Sequence, residues 1–229
     1  MNSDHQSEDT GVAQTTDSVL TGRAVIIVVT AGLLTGAFAS ATYYSASLRS
    51  LSHAFVIWIL LAAVLARGRK PVAACVRVTL ALVAAVWTFY LGRAVIYQVL
   101  YSAGDDNISL FKLLVWTCLA LIAGTVLGLG LRFVGEHGWK GVTATGGAIG
   151  LVWGDILRRT GFDLLHDPVL VVLAAVVCAL LLAIGTQSPT QFAWTGLVGV
   201  LLIAPGYLLA SMPDLLEQLL ITGGLSGIL

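Results

Sequence analysis

Charge is what this sequence has least of. Only 10% of its 229 residues are Asp, Glu, Lys or Arg, against roughly 25% in an ordinary soluble domain. Twelve basic and twelve acidic residues, most of them crowded into short segments, cannot cover a water-facing exterior of this size. A soluble globule is therefore excluded, and lipid is left as the solvent for most of the chain. The formal net charge is zero and no long basic run occurs, so nucleic acid is not an expected partner.

Cysteine is also scarce. Cys75, Cys118 and Cys178 each fall inside an apolar run, far apart and with no C-x-x-C, so neither a disulfide framework nor a zinc site is expected. Catalytic signatures are missing as well: there is no G-x-x-x-x-G-K-[ST], no H-E-x-x-H and no G-x-S-x-G. No set of intramembrane carboxylates suited to a catalytic metal appears either. The sequence thus assigns no catalytic residue, no metal site and no cofactor, and an enzyme is not expected. His53 opens the second apolar window while His137 and His166 lie in loops, so no two histidines share a span as membrane haem ligation requires. Asp163-x-x-His166-Asp167 contains ligand-type residues without a partner elsewhere, and reads as a hydrated loop ended by Pro168.

Apolar residues are what the chain has in abundance, at 58%. A hydrocarbon core of ~30 Å takes about 20 apolar residues of helix. Seven windows approach that length: Ala24 to Ala46, Leu51 to Ala66, Val72 to Gly92, Leu110 to Leu131, Trp139 to Leu157, Pro168 to Thr186, and Thr190 to Ala210. The fold expected is all-α, a polytopic transmembrane bundle of about seven spans whose short connections make neighbours antiparallel. The window 139–157 is the weakest, rich in Gly and Thr with Lys140 and Asp155 near its ends; the count falls to six if it is re-entrant. With seven spans, Arg23, Arg67, Arg69, Lys70, Arg77, Arg132 and Lys140 share the N-terminal side, facing Arg49, Arg93, Lys112, Arg158 and Arg159. With six, Arg158 and Arg159 change sides and the basic asymmetry grows; both counts put the N-terminus in the cytoplasm.

Residues 1–23 read as a disordered cytoplasmic tail without signal-peptide features, and residues 24–210 as the membrane domain. Residues 211–229 read as a short interfacial helix, begun at Ser211-Met-Pro-Asp214, and a frayed end. Small residues recur at every fourth position: Gly32, Gly36 and Ser40; Ala120, Gly124 and Gly128; Gly146, Gly150 and Gly154. Such ladders let helix backbones approach closely, which predicts that the first, fourth and fifth helices are central. Pro205-Gly206 predicts a kink in the last helix.

Asp155 is an acidic group at the end of an apolar helix, where charge is costly. It is either a site for a proton or cation, or the partner of Arg158 and Arg159, three and four residues on. Arg93 stands between Tyr90 and Tyr97 at helical spacing, which suits either an anion site or an interfacial aromatic belt with one anchoring cation. The Arg67 to Lys70 cluster reads as a topogenic signal in contact with anionic lipid.

The order Gly32-Leu-Leu-Thr-Gly36, Trp58, Trp87-x-x-Tyr90, Gly124-Thr-Val-Leu-Gly128, Gly138-Trp139 and Gly150-Leu-Val-Trp-Gly154-Asp155 resembles a group of small bacterial integral membrane proteins classed as a domain of unknown function. The resemblance implies a multi-pass protein of the bacterial inner membrane and marks Asp155 for testing; it implies no activity. Two functions remain open. One is a small permease-like or substrate-binding membrane subunit with Asp155, Arg93, Tyr90 and Tyr97 as substrate contacts. The other is a non-transporting accessory or scaffold protein that packs as a homo-oligomer or against a partner membrane protein.

Overall fold

The computed structural model describes residues 22–101 and 109–222; the expected N-terminal tail up to residue 21 and the last seven residues lie outside them, while residues 22 and 23 already belong to the first helix. Among the described residues there are nine helices and no strand: α1 Gly22–Tyr43, α2 Arg49–His53, α3 Val56–Ala66, α4 Pro71–Tyr101, α5 Leu110–Leu131, α6 Trp139–Thr160, α7 Pro168–Gly185, α8 Pro189–Leu201 and α9 Ile203–Thr222.

Local chemistry sets several of these boundaries. The hydroxyls of Ser109 and Ser188 and the carboxylate of Asp167 accept hydrogen bonds from the first turns of α5, α8 and α7. Proline occupies the first turn of α7 and α8, where its missing N–H costs nothing. Gly161, at φ 59°, ends α6 in the left-handed region that favours glycine. Between α8 and α9 the chain bends by 53°. Pro205 explains the position of the bend: it has no N–H to offer Leu201, and its ring crowds the carbonyl one turn back.

Hydrogen bonds between distant segments show where the chain turns. At the N-terminal end of the bundle, the Gly68 N–H donates to the Arg132 carbonyl over 2.8 Å, and Gln191 Nε2 donates to the Glu136 carbonyl over 2.8 Å. At the far end, the Tyr44 hydroxyl donates to the Arg93 carbonyl over 3.0 Å and the Phe55 N–H to Asp155 over 2.7 Å. The chain therefore passes between two ends as α1, α2–α3, α4, α5, α6, α7 and α8–α9.

Not all of these passes qualify as membrane spans by length and apolarity. Four helices do: Gly22–Tyr43, Pro71–Val99, Leu110–Leu131 and Pro168–Gly185. The bent pair of α8 and α9 makes a fifth if counted as one broken span. This count of four to five does not support the expectation of about seven spans, or of six. The second window fails because Ala54 and Phe55 interrupt it, leaving the 11 residues of α3, a rod of ~16 Å against the ~30 Å of the hydrocarbon core. The fifth fails because α6 is polar. That polarity has a physical setting, since more than half of its 22 residues are buried by neighbouring helices.

The small-residue ladders dock pairwise. Gly32 and Gly36 lie against the carbonyls of Ala81 and Ala85, so α1 runs parallel to α4. Gly124 and Gly128 meet Thr79 and Cys75 on another face of α4. Gly146, Gly150 and Gly154 meet Val198, Leu202 and Tyr207, which sets α6 parallel to α8–α9. The predicted centrality is thus corrected: α6 is central, but α1 and α5 flank α4, which holds them apart. The separate helix start expected at Ser211 is not present, because α9 continues from Ile203 through Pro213.

Candidate ligand-binding site

The four residues proposed as substrate contacts do not form one site. Tyr90, Arg93 and Tyr97 belong to α4 and face the end of α1. Asp155 belongs to α6 and is engaged at the α2–α3 junction.

Asp155 is fully buried, yet every side of its carboxylate is occupied. Oδ1 accepts from Arg158 Nη2 at 2.9 Å and from Arg159 Nε at 3.1 Å; Oδ2 accepts from the Phe55 N–H at 2.7 Å and from Arg159 Nε at 3.1 Å. The Phe55 N–H opens α3, whose own residues supply no side-chain cap, so the carboxylate from α6 takes that role and meets the positive end of the helix. Arg159 Nη2 donates to the His53 carbonyl at the end of α2, and Arg158 Nη1 pairs with Asp214 on α9. Two carboxylates and two guanidinium groups thus tie the α2–α3 junction, α6 and α9 together. The structure brings together the pair that the i,i+3 and i,i+4 spacings pointed to, and adds Phe55 and Asp214, which no local pattern marks. A carboxylate with this many donors has no lone pair turned toward a solute.

The second arrangement is open. A cleft of about 500 Å³ at the far end is lined by Tyr43, Tyr44, Ser45, Ala46, Arg49, Arg93 and Tyr97. Arg49 and Arg93 both lie over the Tyr43 ring, with guanidinium carbons 5.3 and 5.6 Å from its centroid. Arg93 is also 5.6 Å from the Tyr90 ring. Tyr90 itself is buried and backs the guanidinium without lining the cleft. Behind Tyr43, the rings of Tyr44, His53 and Phe89 pack edge-on at 5.0, 5.4 and 6.0 Å. This aromatic wall holds the two cations by cation–π contact beside the open volume. Arg49 and Tyr43 were not singled out in the sequence, because they are joined across the α1–α2 turn and share no helical face.

No known protein family, curated protein or solved structure matches this chain. In the loop before α7 the two aspartates serve the backbone: Asp163 accepts from the Leu165 N–H at 3.1 Å and Asp167 from the Leu170 N–H at 3.1 Å. Among the described residues no group of three His, Cys, Asp or Glu side chains is placed to hold a metal ion. Pro205 and Gly206 do not open a cavity either, since the backbone of Gly150 packs directly against Gly206.

Proposed function

We propose that this chain is a small ligand-binding membrane protein, permease-like or the substrate-binding subunit of a larger assembly. Its ligand is a small anion or an anionic group, of the phosphate or carboxylate class. The observation that carries this reading is the cleft in which Arg49 and Arg93 converge on one tyrosine ring. The two guanidinium groups concentrate positive charge on one wall of the cleft, and the geometry of a guanidinium suits a tetrahedral or planar oxyanion. Asp155 is not a ligand contact in this reading; it braces the helices that carry the cleft. No chemical step is assigned.

The passes between the same two ends support a bundle in which the broken α2–α3 segment and α6 also traverse the bilayer, shielded by their neighbours, with the more basic N-terminal end in the cytoplasm of a bacterial inner membrane. The cleft then faces the opposite side.

Titration of the purified protein in nanodiscs with inorganic phosphate, and separately with acetate, followed by tyrosine fluorescence, tests the reading. Saturable binding to at least one anion is expected, weakened about tenfold or more by Arg93→Gln and by Arg49→Gln, as for loss of a charge-assisted hydrogen bond. Absence of saturable binding, together with a stoichiometric protein companion in mild detergent, favours the accessory or scaffold role and removes this proposal.

A further inference from the structure

Threonines inside these helices have a consistent way of hiding their hydroxyls. Thr35, Thr42, Thr88, Thr117, Thr125, Thr143, Thr160 and Thr186 each donate to the carbonyl four residues back, over 2.7 to 3.1 Å. Thr145 on α6 and Thr195 on α8 do not. Both side chains are fully buried, and neither Oγ1 has a hydrogen-bond partner. Two unpaired hydroxyls in the same interior are unfavourable unless something satisfies them.

Helix register places them together. Gly141 faces Gln191, and five residues on Gly146 faces Val198 and Gly199, so Thr195 lies level with the residues just before Gly146, where Thr145 sits. Thr145 abuts Gly185 at the end of α7, and Gln191 Nε2 is 3.5 Å from the Gly185 carbonyl. Thr145 of α6 and Gln191 of α8 thus both approach Gly185, at the end of α7.

We propose that Thr145 and Thr195 jointly hold one internal water molecule between α6, α7 and α8. A buried water takes about three hydrogen bonds. The two hydroxyls supply two of them, and the carbonyls of Gly141 and Gln191, which these hydroxyls leave unused, each offer a further lone pair. A metal cation suits the centre poorly, since hard cations collect six or more oxygens. This site lies on other helices than the arginine cleft and does not depend on it.

The test is a thermal-unfolding cycle on the purified full chain in detergent, using Thr145→Val, Thr195→Val and the double variant, with Thr145→Ser and Thr195→Ser as hydroxyl-keeping controls. A shared water predicts that each Val substitution lowers Tm, that the double variant falls no further than the worse single one, and that the Ser variants stay near the parent. A raised or unchanged Tm for either Val variant overturns the proposal, as do additive losses. If a Val variant does not fold, the parent decides: water-to-protein NMR magnetisation transfer should reach both threonine methyls, and its absence overturns the site. A parent Tm that rises with NaCl but not with choline chloride, lost in the Val variants, points to a bound cation and also overturns it.

Discussion

Asp155 illustrates how far a single residue's surroundings decide its role. A buried carboxylate in a membrane protein invites a reading as a proton or cation site, but this one has three donors spread over two oxygens. Asp155→Asn keeps the shape while turning one acceptor into a donor aimed at an arginine or at the Phe55 N–H. We expect a loss of about 3–5 kcal/mol in stability, the range for breaking a buried ion pair from one side, read by thermal or denaturant unfolding in detergent. Anion affinity of the folded fraction should be unchanged. The pairing with Arg158 and Arg159 was legible because i,i+3 and i,i+4 neighbours share a helix face. Phe55 and Asp214 were not, because the first contributes a backbone N–H and the second arrives from another helix.

At the scale of elements, the fit between α6 and α8–α9 depends on what its glycines lack. A Cβ on Gly154 would strike the backbone of Gly206 and Tyr207, which no rotamer change can relieve, whereas a Cβ on Gly196 meets nothing within 4 Å. Gly154→Ala is therefore expected to cost about 1–3 kcal/mol by overpacking, while Gly196→Ala gains about 0.5–1 kcal/mol from helix propensity; melting temperatures in one detergent compare the two. The ladders were visible in the sequence, since a repeat of four survives in any helix. Their partners were not, because a small residue says that a backbone comes close but not whose. Helix ends followed the same division. The window Leu110 to Leu131 coincides with α5, where a serine cap sits just before the apolar run. The second window hid a break at Ala54 and Phe55, since the N–H that needs a partner there is satisfied by Asp155, 100 residues away.

The whole molecule is an all-helical, multi-pass membrane protein in which α6, too polar to face lipid along its length, is enclosed by helices that are not. Composition alone made the membrane legible, and length made most rods legible. The number of apolar spans was not, because the window 139–157 is polar and the window 51–66 is broken at Ala54 and Phe55. Our central proposal is that α6 nonetheless runs from one side of the bilayer to the other inside that enclosure. Labelling single cysteines with a membrane-impermeant maleimide tests it most directly, at His137 before α6 and Leu165 after it, in sealed vesicles of a variant lacking Cys75, Cys118 and Cys178. The account predicts opposite sides, with Gln187 matching His137 and Ser45 matching Leu165; reaction of His137 and Leu165 positions from the same side would contradict it.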